Sequence, residues 1–427
     1  MRVETTDAFA DVLLTARLTG TALAPADRAL VTRLVYGTLA WQGRIDHHLG
    51  PLLRTRLEAL DPPVRAALRL GLYQLRFLDR VPAYAAVDAS VELARARGAG
   101  AAGLVNAVLR RAASEPEAPL PRDPIARLAV EWSHPRWLVE RWAAEFGVEE
   151  LPALLAANNV RGPTVIRTNR LRTSRDRLLA ELQAERIEAA TGASDDAIVI
   201  ERGAARLQGL SAWRAGHFAF QGEASQLIAP LLGLAAGTRV LDACAAPGGK
   251  AAHAAALLGG SGLVLAVDQR RTGTVRIATE ATRLGAANVH VLVGDARRPP
   301  LRQRVDAALV DAPCSGFGTL RRHPEVRWRR RPEDVARLAA LQLAIMDGVA
   351  PFLGPGGVLV YAVCTFTREE NEDVVTRFHA AHPRFVVERV AGSEAPPTAV
   401  TAAGFLRTLP HRHGLDGFFA ARLRARS

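Results

Sequence analysis

The chain has 427 residues, 49% of them apolar, and a formal net charge of +12. This length exceeds what one ordinary hydrophobic core holds, so two or three domains are expected, and the apolar content is ample for them. The sequence shows no apolar run that we expect to span a membrane, and its first residues lack the apolar core of a signal peptide. We therefore expect a cytoplasmic protein without membrane contact.

Charge and cysteine content limit the kinds of partner and site. The positive charge fits a polyanion such as RNA or DNA, although an arginine-rich proteome would give the same charge. The three cysteines, Cys244, Cys314 and Cys364, are odd in number and far apart, which argues against a disulfide framework. They also lack zinc-ligand spacing, so no metal site is expected.

The first part of the chain is predicted to be helical. From residue 1 to about residue 113, apolar residues recur at helical spacing and prolines separate the segments. A proline-rich linker follows at residues 115–124. Strands are then predicted at residues 164–167 and 197–201, with a helix between them at 175–183, which indicates a small α+β module of the ferredoxin or RNA-recognition-motif type.

From Gln226 onward, predicted strands alternate with predicted helices. This alternation is typical of a doubly wound, mostly parallel α/β sheet. We therefore predict a helical domain with its linker over residues 1–125, the α+β module over 126–222 and the α/β domain over 223–427. The predicted strands of the last domain are 239–243, 263–267, 289–293, 307–310 and 358–361, with a final strand at 417–423.

One glycine loop in the last domain contains the only lysine among the chain's 55 basic residues. Lys250 ends the loop Ala245-Ala246-Pro247-Gly248-Gly249-Lys250, between a predicted buried strand and a predicted helix at 251–258. A strand, a glycine turn and a helix together form a nucleotide-type cradle. A lysine that merely escaped a drift toward arginine would not need this surrounding sequence, and the two cations are not interchangeable in a tight turn.

The loop does not fit the usual phosphate-binding patterns. Cys244 and Ala251 stand where a Walker A loop needs glycine and a hydroxyl residue, and the glycine spacing of a dinucleotide fingerprint is missing. Instead, an acid ends each of four successive strands, where Asp268 can bind ribose and Asp295 can face adenine. Each acid alone would be explained as a helix cap, but four together favour S-adenosylmethionine. These acids are Asp242, Asp268, Asp295 and Asp311.

Two cysteines follow neighbouring predicted strands, which places both thiols near the same crevice. Cys314 stands in the turn Asp311-Ala312-Pro313-Cys314, and Cys364 follows the next strand. A single cysteine there would more often be a core residue. Two thiols with an acid suit methylation of a pyrimidine at C5, where a thiolate adds to C6 and an acid supports charge at N3. From the residues alone, either thiol could attack.

At these residues the chain resembles the Sun/Fmu family of RNA cytosine-C5 methyltransferases, in particular its RsmB type, which acts on 16S ribosomal RNA. The N-terminal region is similar to the NusB RNA-binding fold in residues 34–39, 69–75 and 105–110. The resemblance covers nearly the whole chain. In the last domain it is carried by residues 220–225, 241–250, 311–316, 321–328, 361–365 and 369–371.

The resemblance implies roles for individual residues. Cys364 would be the nucleophile that adds to C6, Cys314 would assist release of the methylated product, and Asp311 would contact the cytosine. Val363, Thr365 and Phe317 depart from the usual family residues, which puts the hydrogen bonds around the thiols in doubt. The implied binding site for S-adenosylmethionine consists of Cys244, Ala245, Ala246, Pro247, Gly248, Gly249, Lys250, Asp268, Asp295 and Asp311.

An arginine-rich segment is the predicted RNA contact. Arg327, Trp328, Arg329 and Arg330 combine cationic groups with an aromatic ring, which suits phosphate contact and base stacking, although a solvated arginine face would look the same. The implied substrate is naked or partly assembled small-subunit ribosomal RNA, and a monomer without an obligate protein partner is expected. Another RNA such as tRNA, DNA, and a non-catalytic role in assembly are the alternatives.

Overall fold

The computed structural model describes residues 2–6, 8–392 and 394–426. In these residues the α-helices are α1 Arg2–Thr5, α2 Ala10–Leu18, α3 Pro25–Ala40, α4 Gln42–Leu49, α5 Pro62–Phe77, α6 Ala83–Arg95, α7 Ala99–Ser114, α8 Pro124–Glu131, α9 Arg136–Phe146, α10 Leu151–Asn159, α11 Arg175–Ala184, α12 Ser211–Arg214, α13 Glu223–Gln226, α14 Gly249–Leu257, α15 Arg271–Leu284, α16 Val326–Arg329, α17 Pro332–Val349, α18 Glu372–Ala381 and α19 Pro410–His413. The strands are β1 Thr164–Thr168, β2 Glu188–Thr191, β3 Ala197–Arg202, β4 Phe218–Phe220, β5 Arg239–Asp242, β6 Leu263–Asp268, β7 Val289–Val293, β8 Val305–Asp311, β9 Leu353–Val363, β10 Phe385–Glu388, β11 Leu406–Thr408 and β12 Phe418–Ala425.

The chain divides into two compact units. The first, which we call the helical unit, contains the residues up to Val160 together with Leu320–Arg330. The second, the sheet unit, contains Arg161–Thr319 and the residues from Arg331 onward. The helices α8 to α10 thus belong to the helical unit, whereas the sequence prediction assigned residues 126–160 to the middle module.

The helical unit is built around α5. Pro62 stands at its N-terminus, where a missing N–H removes no helical hydrogen bond. Val64, Leu68 and Leu72 then recur at helical spacing, and all three are buried in one apolar core with residues of α6 and α7. The predicted helical start is confirmed, and α7 ends at Ser114, immediately before the predicted linker.

The sheet unit contains two sheets. The smaller one has the order β2-β3-β1-β4, and its strands pair antiparallel. Ile166 of β1 lies opposite Ile198 of β3, and both pack with Leu178 of α11 in one buried cluster. The predicted α+β pattern at residues 164–201 is therefore confirmed, and β4 completes the sheet.

The larger sheet has the strand order β7-β6-β5-β8-β9-β12-β10, with β11 beside β12. The five strands from β7 to β9 are parallel, while β12 runs antiparallel between β9 and β10. The chain leaves β5 toward β6 and β7 and then returns to β8 on the other side of β5. Such a reversal opens a crevice at the carboxyl ends of the central strands, which is where a ligand binds in this architecture.

One helical segment corrects a sequence-based expectation. Pro332–Phe352 is long and apolar enough to cross a membrane by length and composition, although we expected no such segment. Its residues Ile345, Met346 and Val349 are buried in an apolar core with residues of β8 and β9. It is therefore a core helix that packs on the sheet, as in a soluble protein.

Candidate active site

The glycine loop joins β5 to α14 at the carboxyl edge of the larger sheet. Gly248 has a φ of +111°, and a Cβ at this position would lie 3.1 Å from the Cα of Ile277. Both the backbone conformation and the close approach of α15 therefore require glycine. The first amides of α14 lack intrahelical acceptors, and such amides are where anionic ligand groups bind.

Lys250 is positioned by the turn after β8. Its Nζ donates a hydrogen bond to Asp311 Oδ2 at 2.7 Å, and it lies 5.4 Å from the ring centroid of Phe418. Burial lowers the pKa of Lys250, but the Asp311 carboxylate outweighs burial and leaves the pKa above its ordinary value. The ammonium is therefore charged at neutral pH and neutralises one of the acids at the strand ends.

Asp242 has the opposite environment. Its side chain is only 1% exposed. Burial, followed by the charge of Asp311, raises the pKa of Asp242 to about 7. Burial, followed by the charge of Asp242, raises the pKa of Cys244 in the same way. Cys244 is therefore a neutral thiol within the loop.

The two remaining acids lie at the ends of β6 and β7. Asp268 Oδ1 accepts a hydrogen bond from the backbone amide of Arg270 at 2.8 Å, which orients the carboxylate at the end of β6. Asp295 forms hydrogen bonds with the side chain of Arg297, which lower the pKa of this half-exposed carboxyl. In this structure Asp295 therefore has a cationic partner that sequence reasoning did not foresee.

The thiols of Cys314 and Cys364 lie together, with their sulfur atoms 3.3 Å apart. The hydrogen bond with Cys364, together with burial and the charge of Glu370, raises the pKa of Cys314 well above its ordinary value. Cys314 is therefore protonated at neutral pH. Asp311 ends the strand that leads into the Cys314 turn, so the acid and both thiols meet at the carboxyl ends of β8 and β9.

A buried polar network behind the thiols was missed by sequence reasoning, apart from the motif in which Glu370 stands. Gln342 of α17 donates from Nε2 to Pro313 O at 3.0 Å and to Glu370 Oε1 at 2.9 Å. Tyr361 donates from its hydroxyl to Gln342 Oε1 at 3.0 Å. A polar residue on the otherwise apolar face of α17 was the available signal, because a buried amide is normally hydrogen-bonded.

The residues that depart from the family pattern fit this surrounding. Thr365 is fully buried, and its hydroxyl accepts from Ser315 Oγ at 3.0 Å and donates to Thr367 Oγ1 at 3.2 Å. Val363 and Phe317 are also fully buried, as apolar side chains in the core. The threonine hydroxyl therefore makes the kind of hydrogen bond that the departures put in doubt.

The predicted RNA contact is wrong for Arg327. Its side chain is fully buried in the helical unit, where Nη1 donates to Ser133 O at 3.0 Å and to Asn159 Oδ1 at 2.7 Å. Trp328 is half-buried, and its indole donates to Leu39 O at 2.8 Å. The guanidinium of Arg327 and the indole N–H of Trp328 are therefore used in hydrogen bonds within the helical unit, into which α16 packs.

The other two arginines of the predicted contact differ from Arg327. Arg329 is half-buried and donates to the backbone oxygens of Val3 and Ala8, and it lies 5.7 Å from the ring centroid of Phe9. Arg330 is half-buried. Among the described residues, no group of three or more His, Cys, Asp or Glu side chains could hold a metal ion.

Three family models match the chain. The NusB family matches residues 1–114, the ferredoxin-like domain of RsmF/B-like methyltransferases matches residues 134–205, and the 16S rRNA methyltransferase RsmB/F model matches residues 229–424. These matches confirm the predicted fold class: an all-α start, a small ferredoxin-like module and a methyltransferase domain.

Curated relatives and solved structures match along nearly the whole chain. The probable ribosomal RNA small subunit methyltransferase B of Bacillus subtilis is 37% identical over 99% of this chain and 96% of its own length. Ribosomal RNA small subunit methyltransferase B of Thermus thermophilus is 39% identical over 93% of this chain and 89% of its own length. The crystal structure of PH0851 is similar with a TM-score of 0.85 and 28% identity, covering 94% of this chain and 91% of that one.

Proposed function

This chain belongs to the RsmB/F family of 16S ribosomal RNA methyltransferases, and on that premise we propose how its residues carry out the reaction. It is a 16S rRNA cytosine methyltransferase that depends on S-adenosylmethionine. We assign the transferred methyl group to C5 of one cytosine and the covalent step to Cys364. The observation that carries a covalent mechanism with two cysteines is the 3.3 Å contact between the two thiols at the ends of adjacent strands.

Cys364 acts first in the proposed reaction. Its thiolate adds to C6 of the cytosine, which forms a carbon–sulfur bond and moves an electron pair toward N3. In this step Asp311 acts in its acid form and passes its proton to N3, which neutralises the charge that develops there and makes C5 nucleophilic enough to take the methyl group. S-adenosylmethionine supplies that methyl as an electrophilic sulfonium group. Water then takes the C5 proton, the carbon–sulfur bond breaks with Cys364 leaving as a thiolate, and N3 returns its proton to Asp311, which restores the ring.

Cys314 serves the second half of the reaction. The pKa of its thiol is raised by the hydrogen bond with Cys364, by burial and by Glu370, so it is a proton carrier rather than a nucleophile at neutral pH. From 3.3 Å it can exchange a proton with the sulfur of Cys364 as the product leaves. The resemblance of residues 361–365 to the second cysteine motif of the family supports Cys364 as the attacking thiol, a choice that residue chemistry alone left open.

The cofactor site is proposed at the carboxyl edge of β5, β6 and β7. The first turn of α14, which begins at Gly249, provides amides without intrahelical acceptors, and Asp268 provides a carboxylate that suits the ribose hydroxyls. Val293, which is 57% exposed at the end of β7, offers an apolar surface for adenine next to Asp295. The residues present therefore fit a nucleoside with an amino-acid tail.

The substrate and location follow from charge and family. The net charge of +12 favours a long polyanion, and the target base must leave its stack to reach a crevice at the sheet edge. We therefore propose naked or partly assembled small-subunit RNA as the substrate and the cytoplasm as the location, with the protein acting as a monomer. Of the predicted RNA contacts, Arg330 remains a proposal.

Covalent adducts test the assignment. Wild type, Cys364→Ala and Cys314→Ala are incubated with S-adenosylmethionine and unmodified 16S RNA, and the products are separated on a denaturing gel. We expect Cys314→Ala to accumulate a protein–RNA adduct, whereas Cys364→Ala forms none. The reverse pattern would assign the attack to Cys314. Two control substrates are tRNA and a DNA of the same length as the 16S RNA. Preferred methylation of either control would overturn the choice of substrate.

A further inference from the structure

We propose that Gln342 and Glu370 are positioning residues that hold the turn of Cys314 against the turn of Cys364. Gln342 lies on α17, and Glu370 ends a short 3-10 turn, Arg368–Glu370, just after Cys364. Both side chains are fully buried, and neither is among the residues assigned to chemistry. This inference rests on the proposed function of the two thiols.

On the first side of the pair, both neighbours of Cys314 are held. The carbonyl oxygen of Pro313 accepts a hydrogen bond from Gln342 Nε2 at 3.0 Å, and the amide of Ser315 donates to Glu370 Oε1 at 2.8 Å. Gln342 Nε2 also donates to the same Glu370 oxygen at 2.9 Å. The Gln342 amide and the Glu370 carboxylate therefore form hydrogen bonds to the peptide groups on either side of Cys314, and they also bond to each other.

On the second side, the same network reaches the strand and turn of Cys364. Tyr361 of β9 stands three positions before Cys364, and its hydroxyl donates to Gln342 Oε1 at 3.0 Å. The hydroxyl of Ser315 donates to Thr365 Oγ1 at 3.0 Å, directly across the two turns. Since both turns are tied to one buried network, the separation of the sulfur atoms is fixed by it.

The charge of Glu370 acts on the thiol of Cys314. The hydrogen bond with Cys364 and burial raise the pKa of the Cys314 thiol, and the charge of Glu370 raises it further. Glu370 thus adds to the hydrogen bond and burial that keep Cys314 in its thiol form.

The cost of this arrangement favours a functional reason for it. A buried carboxylate loses its hydration, and apolar residues of similar volume are often no less stabilising than a buried polar pair. Positional accuracy, by contrast, matters strongly to a covalent step, because an error of about 1 Å can slow catalysis about 100-fold. Gln342 and Glu370 supply such accuracy from outside the reacting groups.

Two substitutions separate the effect of the Gln342 hydrogen bonds from the effect of the Glu370 charge. Gln342→Leu removes the hydrogen bonds to Pro313, Glu370 and Tyr361, whereas Glu370→Gln keeps an acceptor oxygen for the Ser315 amide but removes the charge. Gln226→Leu is the matched control, because Gln226 is a buried glutamine that bonds backbone oxygens elsewhere, Ile166 O and Gln221 O. Each variant is assayed for kcat, KM for S-adenosylmethionine and thermal unfolding.

The expected results differ between the variants. Gln342→Leu lowers kcat about 100-fold, as a misplaced reacting group would, and leaves KM for S-adenosylmethionine nearly unchanged. Glu370→Gln lowers the pH at which iodoacetamide alkylates Cys314. Peptide mapping after the reaction measures this alkylation. The inference is overturned if Gln342→Leu loses no more kcat than Gln226→Leu and Glu370→Gln leaves the alkylation profile of Cys314 unchanged. If Gln342→Leu does not fold, the Glu370→Gln profile decides alone.

The adduct formed by Cys314→Ala keeps this inference distinct from the proposed function. If that adduct is absent while Glu370→Gln shifts the alkylation of Cys314, the assignment of the nucleophile fails and the positioning role stands. If the adduct forms while Gln342 and Glu370 substitutions change neither kcat nor alkylation, the positioning role alone fails.

Discussion

Lys250 Nζ and Asp311 Oδ2 lie 2.7 Å apart and join the proposed cofactor loop to the turn that carries Cys314. The lysine side chain is 13% exposed and the aspartate side chain 26% exposed. A compact ammonium fits between this carboxylate and the ring of Phe418, where a planar guanidinium would need more room. This contact gives a physical reason for lysine at position 250.

Replacing Lys250 tests this contact. Lys250→Met leaves the Asp311 carboxylate without its cation and close to Asp242, so we expect methyl transfer to fall about 100-fold, the usual effect of losing one electrostatic stabiliser. Lys250→Arg keeps the charge but changes its shape, and we expect a loss of about tenfold. Single-turnover methylation of 16S RNA measures both, and equal rates in Lys250→Arg and wild type would contradict the shape argument.

Asp242 predicts a pH dependence of stability. Its pKa is raised from 3.8 to about 7 in the folded chain, mainly by burial, so the folded state binds a proton more tightly than the unfolded state. The contribution of this group to stability is therefore complete below pH 3.8 and is lost as pH rises through about 7. Asp242→Asn removes this dependence, so we expect its free energy of unfolding, relative to wild type, to rise by about 2.5 kcal/mol from about pH 5 to about pH 8.

Urea unfolding of the cofactor-free protein across this pH range provides the measurement. Asp306→Asn is the control, because Arg239 lowers the pKa of this partly exposed aspartate, and its titration then lies below the range. A difference between wild type and Asp242→Asn that does not change with pH would contradict the prediction.

Local pattern was enough to predict most strands and the proximity of the two thiols. The strand predicted at 289–293 matches β7, because a short run of β-branched residues between turn signals leaves few alternatives. The thiol pair was predictable for a related reason, since adjacent parallel strands bring their carboxyl ends together. The partners of buried polar groups were not predictable, because Gln342 and Pro313 meet only through tertiary packing. For the same reason, the sequence could not show whether Arg327 of α16 faces solvent or a core.

Arg167 predicts a link between the smaller sheet and the cofactor loop. Its guanidinium is fully buried, and Nη1 donates to Gly249 O at 2.7 Å and to Gln221 Oε1 at 2.5 Å. Burial lowers its pKa to about 10, so the group stays charged at neutral pH. Arg167→Met releases the first turn of α14, and we expect affinity for S-adenosylmethionine to fall about tenfold, equal to the loss of one charged hydrogen bond.

Titration calorimetry with S-adenosylmethionine checks this expectation. Arg170→Met is the matched control, because Arg170 pairs with Asp196 and is half exposed. We expect the control to bind the cofactor like wild type. An equal loss of affinity in both variants would show that the module, and not the contact with Gly249, sets the affinity.

Replacing Arg327 tests whether it is a buried structural cation or an RNA contact. Because its guanidinium bonds Ser133, Asn158 and Asn159 in the helical unit, we expect Arg327→Ala to lower the free energy of unfolding by about 3–5 kcal/mol, as the loss of one partner of a buried charged network does. The salt dependence of RNA binding stays unchanged at a temperature where the variant is folded. Arg331→Ala, at the exposed neighbouring arginine, leaves stability unchanged. Normal stability of Arg327→Ala, with a salt slope reduced by about 0.9 for one lost phosphate contact, would instead assign Arg327 to RNA.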